Sequence, residues 1–160
     1  MLNVLRLFAI AACFASPALA QTNINLGGVR ADTSAPVEVA ADNLNVDQDT
    51  GTAVFSGNVL IGQGDLRLSA TTVEVIYDDA SGDISRLNAS GGVTFVTATE
   101  AAEAASAIYN IAAGTLTLSG EVLLTQGSSA ISAGQMVINL TTGSAQMSGR
   151  VRTTLQQGSN

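Results

Sequence analysis

Ser56-Gly57-Asn58-Val59 returns as Ser90-Gly91-Gly92-Val93, as Ser119-Gly120-Glu121-Val122 and as Ser148-Gly149-Arg150-Val151. The glycines of this phrase stand 34, 29 and 29 residues apart. A recurring period of this size marks a fold made by stacking one supersecondary unit. It also directs attention to a repeated surface, because no single catalytic spot stands out.

The residues around each glycine sharpen the period. Positions four and two before it, then two and four after it, read Ala53, Phe55, Val59 and Ile61 in the first repeat. They read Leu87, Ala89, Val93 and Phe95 in the second, and Leu116, Leu118, Val122 and Leu124 in the third. The fourth has Ala145, Met147, Val151 and Thr153, so the last residue alone is polar. The alternate positions are mostly polar, among them Ser56, Asn58, Ser119, Glu121 and Arg150. Such alternation is the period of a half-buried β-strand, whose successive side chains point to opposite faces. By parity the glycine falls on the apolar face, where it is expected to mark a bend. A second glycine closes a turn in each repeat, at Gly51, Gly82, Gly114 and Gly143. Val46, Tyr77, Tyr109 and Ile138 lie five residues before it, and Leu44, Val75, Ala107 and Met136 seven before. Gln63-Gly64, echoed by Gln126-Gly127, supplies a further turn. Each repeat therefore reads strand, turn, strand, turn, with glycine providing positive φ. Residues 98–107 are rich in Ala and fit either a strand with small side chains or a short helical excursion.

The ends read differently. Met1 to Arg6 is short and positive, Leu7 to Phe14 is apolar, and Ala18-Leu19-Ala20 is a small-residue cleavage site. Residues 1–20 are thus expected to be a cleaved secretory signal peptide. Ile10-Ala11-Ala12-Cys13 is a competing lipoprotein-type site, but the apolar run before Cys13 is shorter than the usual ~7–15 residues. Residues 21–35 read as a flexible leader, 36–155 as one domain and 156–160 as a polar tail.

Composition excludes much. Cleavage removes the single cysteine, so the exported chain holds no disulfide. There is no His, Trp or Lys. Five Arg against thirteen acids leave the mature chain at net −8, a poor match for nucleic acid, which needs clustered cations. Without His or Cys there is no ordinary zinc site, no Ser-His-Asp triad and no thiol nucleophile. Asp47-Gln48-Asp49-Thr50-Gly51 departs from a calcium loop, because its glycine comes early and the closing Glu is missing. Asp78, Asp79 and Asp83 read as a solvated turn. No cofactor, metal or catalytic residue is expected. What remains is the inward apolar face: Val46, Phe55, Val59, Ile61, Leu68, Val75, Tyr77, Val93, Phe95, Leu116, Leu118, Val122, Leu124, Met136, Ile138 and Met147. It suits an ordinary core and a groove for acyl chains equally, since both use the same residues.

Pro36-Val37-Glu38-Val39-Ala40-Ala41-Asp42, Leu44, Gly51 to Val59, Gln63-Gly64 and Leu68-Ser69-Ala70 together resemble the OstA-like domain of the LptA family. The resemblance runs from about residue 36 to 154. It implies an all-β fold, an open, twisted antiparallel jelly roll that is V-shaped in section. It further implies a periplasmic, non-enzymatic bridge protein that takes lipopolysaccharide, through the lipid A acyl chains, into the apolar groove listed above. It implies end-to-end stacking of copies and of homologous domains in LptC-type inner-membrane and LptD-type outer-membrane partners. Val37 and Val39 in the first strand, expected from Val37 to Ala41, and Val151 and Thr153 in the last, expected from Ser148 to Leu155, are then the assembly edges. The absence of Lys departs from what lipid phosphates would favour and leaves Arg30, Arg67, Arg86, Arg150 and Arg152. A structural β-repeat protein of the envelope without lipid cargo is the competing function, although the calcium-binding repeats of such solenoids are missing. A carboxylate-pair hydrolase fits poorly, for want of Trp to hold sugar.

Mass spectrometry of the exported protein is expected to place its N-terminus at Gln21. A lipid-modified Cys13 at the N-terminus contradicts the cleavage assignment.

Overall fold

The computed structural model describes residues 22–25 and 32–154. Their elements are eleven strands: β1 (Thr22–Asn25), β2 (Glu38–Ala40), β3 (Asn43–Asp47), β4 (Thr52–Gln63), β5 (Leu66–Tyr77), β6 (Ile84–Val96), β7 (Glu100–Asn110), β8 (Thr115–Gln126), β9 (Ser129–Asn139), β10 (Ser144–Ser148) and β11 (Arg152–Thr154). They form one antiparallel sheet in the order β1-β10-β9-β8-β7-β6-β5-β4-β2, with β3 also on β4 and β11 also on β9. Apart from β1, β2 and β11, neighbours in the sheet are neighbours in the chain, as short glycine turns dictate. Of the 98–107 stretch, residues 100–107 are strand, inside β7, and Ala98 and Thr99 form the bend before it. Its Ala102, Ala104 and Ala107 are buried, so the small side chains are core residues and not a helical excursion.

The phrase Ser-Gly-x-Val decides the shape. In each copy two consecutive residues take left-handed φ: Gly57 (79°) and Asn58 (48°), Gly91 (82°) and Gly92 (85°), Gly120 (82°) and Glu121 (49°), Gly149 (80°) and Arg150 (54°). Ser56 faces Thr72 and Val59 faces Ala70, so Gly57 and Asn58 together oppose Thr71. Gly120 and Glu121 likewise oppose Gly134. This is a two-for-one β-bulge, which bends its strand. Because the bulges recur at the same level, every strand bends along one line, and the sheet folds into two arms. Rows of inward residues cross each arm. One row runs Val46, Ala53, Val75, Leu87, Tyr109, Leu116, Ile138, Ala145. Across the crease another runs Val39, Ile61, Leu68, Phe95, Ala102, Leu124, Ile131, Thr153. The arms face each other: Ile61, Leu66 and Leu68 of one meet Leu87, Ala89, Ala107, Tyr109 and Leu116 of the other around a shared space. The fold is the open jelly roll, V-shaped in section, with the crease at its apex.

The bulge corrects the parity argument for glycine. A Cβ on Gly120 would lie 2.8 Å from Cβ of Ala105, and one on Gly57 or Gly91 would lie 2.6 Å from Asp42 or Thr71. Asp42, Thr71 and Ala105 are exposed. The glycines therefore sit on the outer side of the crease, and the missing Cβ admits the adjoining strand instead of enlarging the interior.

The terminal strands also differ from expectation. The last strand, expected over 148–155, is split into β10 and β11, because Gly149-Arg150 turns the chain between them. The first is shorter than 37–41 and continues as β3 beyond Asp42, which donates its N–H to Gly57 O at 2.9 Å. Inside the stretch read as a leader, Thr22–Asn25 pairs with β10. The signal peptide, Cys13, Arg30 and the polar tail lie outside the described residues.

Replacing Gly120 by Ala is expected to lower stability by about 1–3 kcal/mol, from the left-handed cost to an L-residue and the Ala105 overlap. Glu121→Gly relieves that same cost and is expected to raise stability by about 0.5 kcal/mol or more, net of added chain entropy. Urea midpoints measure both. A lower midpoint for Glu121→Gly contradicts the crease as described.

Candidate functional site

The interior between the arms is the candidate site. Of the residues expected to line it, Val59, Ile61, Leu68, Val75, Val93, Phe95, Leu116, Leu118, Val122, Leu124, Met136, Ile138 and Met147 are buried there. Phe55 is half-buried against them. Val46 and Tyr77 share their inward rows but are 58% and 40% exposed. Val46 lies on β3, beyond which no further strand lies among the described residues, and Tyr77 ends β5 at the turn. Exposed Leu44 accompanies Val46, so that end of the interior opens onto apolar surface. Of the expected edge residues, Val37, Val39 and Val151 lean on the core, and Thr153 is exposed.

The interior is filled by its own side chains. The space shared by the two arms is a cavity of about 10 Å³, at the limit of what one water occupies. No hydrocarbon chain fits without movement. Sheets that face each other pack about 10 Å apart, so the arms must part before a guest can lie between them.

A polar contact holds the arms together at the rim away from the crease. Gln63 ends β4 in one arm and is 2% exposed. Its Oε1 accepts from the Tyr109 hydroxyl of the other arm. Its Nε2 donates to Thr33 O (3.1 Å) and Ala35 O (2.9 Å). Thus Gln63 joins both arms and the segment before β2. That segment is itself closed into a turn by Asp32, whose Oδ1 accepts from Ser34 N at 3.0 Å. Ser34 holds the Asp32 carboxyl below its ordinary pKa. Burial raises the Tyr109 phenol above its ordinary 10.0, so it is the neutral donor at neutral pH. Farther along the same rim, Glu100 is buried and accepts from Thr97 Oγ1 and Thr99 Oγ1 (both 2.6 Å) and from Gln126 Nε2 (3.0 Å).

Sequence reasoning named Gln63 only as a turn residue and Tyr109 only as an apolar position. Their contact joins residues 46 apart, and no local pattern announces it. The acidic turns have a structural task. Asp47 Oδ1 accepts from Asp49 N and Thr50 N, and Asp78 Oδ1 from Ala80 N and Ser81 N. Asn110 and Asn139 do the same in the later repeats. Ser81 and Ala80 N–H groups keep the Asp78 carboxyl below its ordinary pKa. Arg67 is engaged by its own turn, donating to Leu66 O at 2.7 Å.

The comparisons agree with this architecture. A family model described as LptA/(LptD N-terminal domain) LPS transport protein matches residues 38–144. An uncharacterized protein of Rhizobium meliloti (strain 1021) is 30% identical over 116 residues, 68% of this chain and 62% of that protein. Lipopolysaccharide export system protein LptH of Pseudomonas aeruginosa is 35% identical over 60 residues, 38% of this chain and 34% of its own. The chain thus spans less than two thirds of these curated relatives. A crystal structure of LptH, described as the LptA homologous periplasmic component of the conserved lipopolysaccharide transport device of Pseudomonas aeruginosa, shares the fold. It matches with a TM-score of 0.70 at 17% identity, over 79% of this chain and 99% of that one. Among the described residues no helix is long and apolar enough to cross a membrane.

Tyr109→Phe is expected to cost about 1–3 kcal/mol, because it leaves buried Gln63 Oε1 without its donor. Hydrogen exchange at Gln63 and Leu66 amides is expected to speed up with it. Unchanged stability and exchange contradict the rim contact as a link between the arms.

Proposed function

This chain belongs to the LptA/LptD N-terminal-domain family of lipopolysaccharide transport proteins, and we propose that it is a non-enzymatic periplasmic carrier whose interior receives the acyl chains of lipid A. The observation that carries the reading is the continuity of the inward rows. From Val39 and Val46 at one end to Thr153 and Ala145 at the other, each row crosses the whole sheet with almost no polar interruption. Tyr109 is the polar exception inside these rows, and its hydroxyl is turned to Gln63. An ordinary core needs apolar residues but no such track along the stacking axis. Aliphatic walls suit flexible hydrocarbon, because burial is non-directional and depends on area.

Loading follows from the filled interior. The arms part about the crease, the Gln63–Tyr109 contact breaks, and acyl chains replace the contacts that each arm loses. The open end beside Leu44 and Val46 gives hydrocarbon a place to enter or leave. Transport from the inner to the outer membrane then proceeds through copies joined end to end, and through the homologous domains of LptC-type and LptD-type partners. The joining surfaces are the sheet's ends, β2 and β3 on one side, β10 and β11 on the other. An added strand there extends the ladder by main-chain hydrogen bonds. No observation favours a purely structural repeat protein, and membership of a transport family weighs against it.

A photo-crosslinking residue at Phe55 or Leu118 is expected to capture lipopolysaccharide in cells, and one at Ser56 or Ser119 is not, since adjoining strand residues point to opposite faces. Equal capture from both pairs defeats the interior as the lipid path.

A further inference from the structure

The strand β1 does to β10 what β3 does to β4. In the first repeat Leu44, Asn45, Val46 and Asp47 of β3 stand opposite Phe55, Val54, Ala53 and Thr52. In the fourth, Thr22, Asn23, Ile24 and Asn25 of β1 stand opposite Met147, Gln146, Ala145 and Ser144. Met147 and Ala145 hold in their repeat the places that Phe55 and Ala53 hold in theirs. The direction is the same, antiparallel in both cases. So is the register, residue for residue.

That place is the one a second copy would need. If copies join end to end, the β3 strand of the incoming copy continues this arm by running antiparallel to β10. With β1 already on β10, the incoming β3 would lie parallel to β1 and break the alternation of the ladder. The edge is therefore taken. We propose that β1 is a built-in stand-in for the β3 strand of a second copy, covering the β10 edge until that strand displaces it. This inference rests on the end-to-end reading above.

Two further features make displacement selective. In the other arm the last strand is β11, which pairs with β9 and with no other strand described. An incoming β2 finds that edge open, docks there first, and brings its own β3 beside β10. The second feature is a tether. Gln63 holds Thr33 O and Ala35 O, so the chain is fixed to the rim eight residues beyond the end of β1. A strand tethered by a short link competes at an effective concentration in the mM range. A single loose strand from an unrelated protein cannot outcompete that, whereas a domain offering β2 and β3 together pairs with both edges at once. The partner so selected is a second copy of this fold, with its two short N-terminal strands in series.

The test locks and then removes β1. In the mature chain from Gln21, which has no other cysteine, Asn23→Cys with Gln146→Cys places two thiols directly opposite in register. Sedimentation velocity over a concentration series is run on the oxidised and reduced forms and on a variant lacking residues 22–25. The oxidised protein is expected to stay monomeric, and reduction to restore end-to-end oligomers. The deletion is expected to tighten association by about tenfold or more if fewer than about one molecule in ten has the edge free at rest. Oligomers that form as well in the oxidised protein, or a deletion that leaves association unchanged or weaker, overturn the stand-in role alone. Failure of the thiols to bridge contradicts the pairing on which it rests. Monomers in every form defeat the end-to-end reading, and this inference falls with it.

Discussion

Everything in this protein depends on pairs of consecutive left-handed residues that recur at one level of the sheet. A β-sheet with a single apolar face needs a second layer to bury it. This chain has no helix among its described residues to supply one. The crease lets the sheet serve as its own second layer. It has a steric cost, because Asn58, Glu121 and Arg150 adopt φ near 50° without being glycine, at roughly 1–2 kcal/mol each. Burying one Leu or Val side chain stabilises by about 1.5–3 kcal/mol. Each bulge brings several such residues into contact across the arms, so burial outweighs the strain. The first residue of each pair has to be glycine for a different reason. Its neighbour strand comes within 2.6–3.1 Å of where a Cβ would stand.

A fold closed by apolar contact alone would have little to fix how its arms meet, since such contact is indifferent to direction. The polar rim supplies the direction. Gln63 satisfies both halves of its amide with Tyr109 and with the segment before β2, so closing the arms and placing that segment are one event. The contact is insensitive to pH near neutrality. Burial raises the Tyr109 phenol above 10.0, so the neutral form is the one the fold favours. Its contribution is complete below the ordinary value and is lost only as pH climbs through the raised one. Under the proposed carrier role, arms that open and reclose would do so on a latch made without charge, in a chain with few charges to spare.

The strands and their inward faces were legible in the sequence because alternation survives in them. Val59, Phe95, Leu118 and Met136 follow from period two and lie where it puts them. The crease was half legible. On a bulged strand the inward residues are four apart, as Phe55 and Val59 are, and that spacing is indistinguishable from ordinary alternation. Only the partner strand betrays the bulge, where Val73 and Ala70, or Met136 and Ala133, are three apart. Parity therefore puts glycine on the inner face, and the extra residue of the bulge puts it on the outer one. Val46 and Tyr77 were read by parity too, and their exposure comes from their positions at an edge and a turn, which parity does not encode. The Gln63–Tyr109 contact and the β1 pairing join segments distant in sequence, and Thr-Asn-Ile-Asn is too short to carry a period of its own.

An open sheet always has two ends, and a carrier that works in a row needs unlike ends to meet. Unpaired edges invite any strand, including the same end of another copy. Charge separates the two cases. The end formed by β2 and β3 carries Glu38, Asp42 and Asp47 with no basic residue in those strands, whereas the chain around β11 carries Arg150 and Arg152. Two N-terminal ends brought together would set carboxylates against carboxylates, and two C-terminal ends would oppose guanidinium groups. With the first repeat's register carried over, an N-terminal end meeting a C-terminal end sets Asp42 against Arg150, in the place where Asn58 Nδ2 donates to Asp42 within one copy. Such exposed pairs add little affinity, but like-charge contacts suppress wrong partners and fix orientation. Head-to-tail contact uses two different surfaces and therefore propagates instead of closing on a two-fold axis. In the proposed row, the same arrangement that guards the edges of one molecule would give the assembly its polarity, and the apolar track through each interior would then point one way along it.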